Sequence, residues 1–163
     1  NEKVHALLSL YPEAIEAIKK ILYAGRIFIC GNGGSLSTAN HIALDWSKVG
    51  KKEVIPITGA EHISAYGNDT GYKNVFINQL NRHKITEKDV IVLISTSGTS
   101  PNVVKAGIVY SHIPVVLFTG NNDFTLKTEY RLPVNSKSIR VIEDTHLAYG
   151  HVICEILEGI EAQ

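Results

Sequence analysis

Short apolar runs alternate with helix-like segments along the whole chain. The apolar runs predict five β-strands, over residues 26–30, 53–57, 90–94, 114–119 and 130–134. Apolar positions recurring at helical spacing predict helices over residues 4–23, 36–48, 73–81, 101–110 and 142–161, with Pro12 interrupting the first. Residues 58–71 are predicted to form a loop with a short helical turn near residues 62–65.

Strands that alternate with helices predict an α/β fold, with a five-stranded parallel sheet between two layers of helices. At 163 residues the chain has the length of one domain, so a single domain is expected over residues 1–163. In such sheets ligands bind beyond the carboxyl ends of the strands. The polar segments that follow the first and third strands are therefore the first candidates for a site.

The charge balance excludes several classes of partner. Sixteen basic and sixteen acidic residues give a net charge of zero, which argues against a general binder of nucleic acid or of anionic membranes.

No window approaches the ~20 apolar residues of a membrane span, and no signal peptide is visible. Cys30 and Cys154 lie in apolar surroundings, so we expect buried free thiols and a cytoplasmic protein.

The first polar segment, Gly-Asn-Gly-Gly-Ser at residues 31–35, joins a predicted strand to a predicted helix. Glycine allows the backbone to approach a ligand closely, and a helix N-terminus offers unpaired N–H groups with a partial positive charge. The second segment, Ser-Thr-Ser-Gly-Thr-Ser at residues 95–100, carries five hydroxyls after another buried strand. Hydroxyls at this density suit a phosphate. The two segments together predict one small, phosphorylated, polyhydroxylated ligand.

Neither segment matches a nucleotide-binding motif. Gly31 and Gly33 fit the dinucleotide fingerprint, but Leu36 occupies its third glycine position. The chain also contains no G-x-x-x-x-G-K-[ST] sequence. A nucleotide cofactor is therefore not expected, and a nucleotide-dependent oxidoreductase is the least favoured function.

Two predicted helices carry a histidine and an acid on one face. His41 and Asp45 are four residues apart, and Glu143 precedes His151 by eight. Two imidazoles and two carboxylates are a suitable set for a divalent metal, although such pairs are also common on protein surfaces. His146, three residues after Glu143, could replace His151 in this set, and spacing alone does not choose between them.

These residues resemble a known family. The pattern GNGGS-x-x-x-A-x-H at residues 31–41, GND at residues 67–69, STSG at residues 95–98 and the closing helix with His151 are similar to the SIS (sugar isomerase) domain. His41, GND and His151 together narrow the match to its phosphoheptose isomerase-like branch. The resemblance covers nearly the whole chain and implies a three-layer, flavodoxin-like fold. It also implies a homotetramer with active sites at subunit interfaces.

The resemblance assigns roles to individual residues. It implies one zinc ion per subunit on His41, Asp45, Glu143 and His151. It implies Asp45 as the catalytic base, with His151 as the acid. The substrate contacts it implies are Asn32, Gly33, Gly34, Ser35, Asn68, Asp69, Ser95, Thr96, Ser97, Ser100 and Glu143.

The chain departs from the family pattern at two of these positions. Where the family usually has Glu, this chain has Asp45, and where the family has Gln it has Glu143. Asp45 is one methylene shorter, which withdraws its carboxylate by about 1 Å, and a misplacement of that size can cost ~100-fold in rate. Glu143 adds a negative charge that Gln lacks, which should favour a divalent metal or, if no metal is bound, raise the pKa of a neighbouring carboxylate. The pair of changes fits either a weakened isomerase or one tuned to another sugar.

The expected reaction is an aldose–ketose isomerisation through an enediolate, as the resemblance implies. The implied substrate is sedoheptulose 7-phosphate, which is converted to D-glycero-D-manno-heptose 7-phosphate. The implied purpose is the biosynthesis of heptose for lipopolysaccharide or capsule. The alternative is a non-catalytic SIS module that binds a sugar phosphate or a protein partner. The two exchanged acids favour this alternative, and the presence of both His41 and His151 argues against it.

Overall fold

The computed structural model describes residues 12–120 and 125–161. Its strands are β1 (Arg26–Gly31), β2 (Glu53–Pro56), β3 (Val90–Ser95), β4 (Val115–Gly120) and β5 (Tyr130–Val134). Its helices are α1 (Pro12–Leu22), α2 (Gly34–Lys48), α3 (Ala60–Thr70), α4 (Val75–Leu80), α5 (Pro101–Val109) and α6 (Ile139–Glu161), with a 3-10 turn at Tyr72–Asn74. Residues 4–11 of the first predicted helix lie outside the described residues. Across these two ranges no helix combines the length and the apolar character that a bilayer crossing requires.

All five strands are parallel and lie in the order β2-β1-β3-β4-β5, which confirms the predicted fold class. The chain places β2 on one side of β1 and then returns to place β3 on the other side. The strand order therefore reverses between β1 and β3. Doubly wound sheets bind their ligands at such a reversal. The two polar segments predicted from the sequence follow these two strands.

Alternate residues of each strand face opposite sides of the sheet, which gives two separate cores. Ile27 and Ile29 of β1 face a core formed with α1, α2 and α6, which we call the first layer. Phe28 and Cys30 face a core formed with α4 and α5, and Ile63 of α3 packs against it. We call these three helices the second layer. The central strands are apolar on both faces because both faces are covered.

The structure differs most from the prediction at residues 60–70 and at the start of the last helix. Residues 60–70, predicted as a loop with one short turn, form the eleven-residue helix α3. Its sequence contains weak helix formers, including Gly67, and it has no fully buried residue. The helix is held by tertiary contacts, since Ile63 and Tyr66 pack on the second core. The last helix begins at Ile139, three residues before the predicted start.

Candidate active site

Three side chains from two helices of the first layer lie together. His41 and Asp45 are one turn apart on α2, and His151 lies on α6. Asp45 Oδ2 is 3.3 Å from His41 Nε2 and 3.7 Å from His151 Nε2. The two imidazole rings are edge to face, with their centroids 5.2 Å apart. Ligand atoms of all three residues lie within 4.8 Å of one another, and both histidines are about half exposed.

The packing of α2 on α6 brings this group together. Trp46, the residue after Asp45, is fully buried and donates its indole N–H to the backbone carbonyl of Gly150 at 2.9 Å. Gly150 is the residue before His151, and a Cβ at this position would overlap the buried Ile42 side chain. The absence of a side chain at Gly150 therefore allows α6 to lie close to α2, and His151 reaches Asp45.

Glu143 does not belong to this group of side chains within 4.8 Å of one another. Its half-buried carboxylate lies against Gly34 in the first turn of α2, where a Cβ would overlap it. A carboxylate is favoured there by the partial positive charge of a helix N-terminus. The described structure thus brings together three of the four predicted metal ligands, and the role of Glu143 as the fourth stays a prediction.

His146 and His151, between which spacing did not choose, differ in burial. His146 is fully buried, with its ring 5.9 Å from that of Phe118 and 6.5 Å from that of Tyr149. Neither of its nitrogens has a hydrogen-bond partner among the described residues. Burial lowers the pKa of His146 to about 4, and the nearby Thr119 backbone opposes this shift without reversing it. His146 is therefore a core residue, and His151 faces the cluster.

The first polar segment, residues 31–35 after β1, which we call the glycine turn, has the geometry that its sequence requires. Gly33 has φ +53° and ψ −120°, a conformation that residues with side chains rarely adopt. Its carbonyl accepts hydrogen bonds from Leu36 N at 3.0 Å and Ser37 N at 3.2 Å, which begins α2. Gly33 and Gly34 are exposed, whereas Ser35 is buried in the first helical turn. The exposed backbone of this turn is accessible to a ligand.

A network of side-chain amides that the sequence did not reveal connects the two polar turns. Asn32 of the glycine turn and Asn102 of α5 exchange two hydrogen bonds, of 2.9 and 2.8 Å. Tyr72, in the 3-10 turn, donates its hydroxyl to Asn32 Oδ1 at 2.9 Å. Neither Asn102 nor Tyr72 belongs to a motif that singled it out, because their contact with Asn32 depends on the tertiary fold.

The second polar segment, residues 95–100 after β3, which we call the hydroxyl turn, is held in its conformation by its own side chains. Ser95 is buried, and its Oγ lies 3.2 Å from Ser100 Oγ and accepts a hydrogen bond from Gly98 N. Gly98 has φ +65°, which allows the chain to turn back toward α5. Ser100 is the residue that precedes α5, and Pro101 occupies its first position, as predicted.

The remaining hydroxyls of this turn are more accessible. Ser97 Oγ accepts hydrogen bonds from Thr99 N at 3.2 Å and Thr99 Oγ1 at 3.0 Å. The carbonyl of Thr96 accepts a hydrogen bond from Gly120 N at 3.0 Å, which fixes the turn to the end of β4. Thr96 and Ser97 are half-buried, so their hydroxyls remain within reach of a small ligand.

The GND segment ends α3. Asn68 and Asp69 are both exposed, and Asn68 Nδ2 donates to Asp69 Oδ1 at 3.0 Å. Gly71, with φ +86°, ends the helix and leads into the turn that carries Tyr72. Through the hydrogen bond of Tyr72 to Asn32, this segment is connected to the glycine turn.

The two cysteines are free thiols. Cys30 is fully buried, as expected, and burial raises the pKa of its thiol far above the ordinary range. Cys154 is only partly buried, so the expectation of full burial is wrong for it. Burial raises the pKa of Cys154, and the negative charge of the nearby Asp45 raises it further.

Known proteins share both the sequence pattern and the fold. The model of the SIS domain family matches residues 12–110. A phosphoheptose isomerase of Thermodesulfovibrio yellowstonii is 34% identical, over 94% of this chain and 81% of that protein. Phosphoheptose isomerase 1 of Campylobacter jejuni is also 34% identical, over 88% of this chain and 80% of that protein.

Two solved structures show the same likeness in three dimensions. The phosphoheptose isomerase of Neisseria gonorrhoeae superposes with a TM-score of 0.83 at 27% identity, covering 97% of this chain and 90% of that one. The phosphoheptose isomerase of Francisella tularensis gives a TM-score of 0.84 at 27% identity, covering 96% and 90%. With a five-stranded parallel sheet, the motifs of both turns and relatives of this identity and coverage, the chain belongs to the SIS domain family, in its phosphoheptose isomerase branch.

Proposed function

We propose that this protein is an aldose–ketose isomerase that interconverts sedoheptulose 7-phosphate and D-glycero-D-manno-heptose 7-phosphate. The observation that carries the proposal is the position of the Asp45 carboxylate, between two imidazoles and on the helix that begins at the glycine turn. A base held beside a candidate acid, next to turns suited to a phosphorylated polyol, is the arrangement this reaction needs. The relatives named above are all phosphoheptose isomerases.

The reaction moves a hydrogen between neighbouring carbons through an enediolate. Asp45 removes the proton from the carbon next to the carbonyl and later returns it to the adjacent carbon. His151, whose Nε2 is 3.7 Å from Asp45 Oδ2, moves the proton that changes places between the two substrate oxygens. While the carbon-derived proton resides on Asp45 it can exchange with water, and this gives the reaction a measurable signature.

The same side chains fit a divalent metal. Two imidazole nitrogens and one carboxylate, all within 4.8 Å of one another, are groups of the kind that bind zinc. We infer one zinc ion per subunit on His41, Asp45 and His151, with Glu143 as the predicted fourth ligand. When bound, zinc supplies a Lewis acid that polarises the substrate oxygens.

Metal analysis of protein purified without chelators tests this assignment. We expect close to one zinc per chain, and a sharp loss in His41→Ala. The exposed His112→Ala serves as the matched histidine control and should keep the metal. Stoichiometric zinc in a His41→Ala, His151→Ala double variant would place the metal elsewhere.

The substrate extends from the metal-binding side chains to the hydroxyl turn in this proposal. The turn binds the phosphate through Ser95, Thr96, Ser97 and Ser100, and the energy of that contact positions the reacting end. The sugar end is bound by Asn32, Gly33, Gly34, Ser35, Asn68, Asp69 and Glu143. Support comes from the accessible backbone of the glycine turn and from the hydrogen bond that connects Tyr72 to Asn32.

We infer a homotetramer in which neighbouring subunits complete the site. His41, Asp45 and His151 remain partly exposed, and Leu44, on α2 beside His41, is 64% exposed. The clefts of about 350 and 400 Å³ found among the described residues lie at the amino end of the sheet, at Pro114, away from this group. A partner surface over Leu44 would cover the site and limit the access of bulk water to the enediolate. The molar mass measured by light scattering should correspond to four chains.

Deuterium exchange from solvent into sugar phosphates, followed by NMR, tests the function. Zinc-replete protein should place deuterium on the carbon next to the carbonyl of sedoheptulose 7-phosphate, and Asp45→Asn should not. If no heptose, hexose or pentose phosphate takes up deuterium, the isomerase proposal is overturned and the non-catalytic binding module replaces it.

A further inference from the structure

Asn102 is a buried polar residue to which the proposed reaction assigns no role. It lies in the first turn of α5, only 1% exposed, two residues after the hydroxyl turn ends. Its side-chain amide exchanges two hydrogen bonds with that of Asn32 across the reversal in strand order. An amide pair of this kind joins the turn after β1 to the helix after β3.

The hydrogen bonds fix which atom of each amide is the oxygen. Val103 N donates to Asn102 Oδ1 at 3.0 Å, and a backbone N–H cannot accept a hydrogen bond. Asn102 therefore presents its NH₂ group to Asn32 Oδ1, which also accepts from the Tyr72 hydroxyl. Asn32 Nδ2 in turn donates to Asn102 Oδ1.

This arrangement leaves a defined set of groups for a ligand. The Asn32 oxygen already has two donors, so Asn32 can offer a sugar one remaining Nδ2–H and its backbone. Tyr72 uses its proton on Asn32, so its hydroxyl oxygen, on a side chain 56% exposed, can accept a hydrogen bond from a sugar hydroxyl. Without Asn102 the Asn32 amide could rotate, and both groups would lose their direction.

We propose that Asn102 is a positioning residue of the isomerase: it orients Asn32, and through it Tyr72, toward the hydroxyls of the sugar. This proposal rests on the proposed function. Asn102 touches neither the substrate nor the His41, Asp45 and His151 group, so it acts only through Asn32. Loss of Asn102 is therefore expected to disturb the contacts to the reacting end of the substrate and to leave phosphate binding intact.

Asn102→Asp is the sharpest test. It keeps the oxygen that accepts from Val103 and from Asn32, but it loses the donor to Asn32 Oδ1 and places a second oxygen against it. We expect kcat for sugar phosphate to fall ~10–100-fold, since misplacement of a binding group by about 1 Å costs up to that much. The affinity for inorganic phosphate, measured by calorimetry, should stay within about twofold of wild type, well below the ~10-fold change that loss of one hydrogen bond can produce. The Asn32 side-chain amide signals in an NMR spectrum should shift, a readout that needs no activity.

A double-variant cycle separates positioning from general structural damage. If Asn102 acts through Asn32, then Asn32→Ala with Asn102→Ala should be no slower than Asn32→Ala alone. Asn81→Ala is the matched control, because Asn81 also joins two elements of the second layer, through a 2.7 Å hydrogen bond from Tyr110, and should keep wild-type kcat. Additive losses, or an unchanged kcat in Asn102→Asp, overturn the proposal. A wild-type protein that exchanges no deuterium overturns the proposed function and this role together.

Discussion

The indole N–H of Trp46 donates to the main-chain carbonyl of Gly150 at 2.9 Å, across 104 residues of sequence. Each of these residues is next to a member of the candidate active site, Asp45 on one helix and His151 on the other. The relative placement of acid and imidazole is therefore set one residue away from the chemistry, within a fully buried contact.

Gly150→Ala should separate the two helices. The added methyl group would overlap Ile42, which is buried and cannot move aside freely. We expect a loss of ~1–3 kcal/mol in the free energy of unfolding, and a ~10–100-fold loss of zinc affinity because the support of the ligands is disturbed. Gly159→Ala is the control on the same helix, since a methyl group there meets no atom within 4 Å. Equal zinc affinity in the two variants would contradict this role of Gly150.

Asp45→Asn should abolish proton transfer while leaving the fold intact. The amide has the shape of the carboxylate without its basicity, so we expect kcat to fall ~100-fold or more with sugar phosphate still bound. Asp45→Glu keeps a base and restores the residue usual in the family, so it should remain active. A rise above wild type on sedoheptulose 7-phosphate would show that Asp45 adapts the enzyme to another sugar. Wild-type activity in Asp45→Asn would remove Asp45 from the mechanism.

Removing hydroxyls from the turn after β3 should weaken phosphate binding. Each hydrogen bond to a charged acceptor contributes ~1.5–3 kcal/mol, so Ser95→Ala with Ser97→Ala should raise the Kd for sugar phosphate at least ~10-fold by calorimetry. Ser111→Ala, two residues after the end of α5, is the control for loss of an exposed hydroxyl. If affinity is unchanged in the double variant, the phosphate binds elsewhere.

His146 should make the fold sensitive to acid. Its pKa is lowered to about 4 by burial, whereas an unfolded histidine titrates near 6.5, so between these values only the unfolded chain takes up the proton. This effect is absent above about pH 6.5. As the pH falls toward 4, it lowers the free energy of unfolding by about 3 kcal/mol in total.

Denaturant unfolding between pH 7 and pH 4 measures this dependence. His146→Leu removes the titrating group and should flatten the profile over that interval. The exposed His112→Gln should leave the profile as in wild type. A His146→Leu profile as steep as wild type would assign the acid sensitivity to other groups.

The central strands were predictable because their apolar runs are buried on both faces, so each run stands out from its neighbours. Helix α3 was not, because its order comes from the packing of Ile63 and Tyr66 on a core that other parts of the chain supply. The shared helix face of His41 and Asp45 was predictable because it depends only on their spacing of four residues within one helix. It could not reveal that His151, and not His146, faces them, since that depends on how α6 is rotated on the sheet.

Glu143 and Asn102 show the same limit at the level of single contacts. Spacing placed Glu143 near His151, but its carboxylate lies at the start of α2, a contact between distant segments. Asn102 carries no local signal, and its pairing with Asn32 exists only once β1 and β3 are adjacent. Local periodicity reports which face a residue occupies, and tertiary packing decides what it meets there.

The proposed mechanism assigns proton transfer and phosphate binding to different helical layers. His41, Asp45, Glu143 and His151 all belong to the first layer, whereas the hydroxyl turn leads into the second. Both departures from the usual family residues, Asp45 and Glu143, fall in the first layer, and the hydroxyl pattern is intact. A chain built this way can acquire a different carbon chemistry by changes on one side of the sheet and inherit its phosphate specificity unchanged on the other.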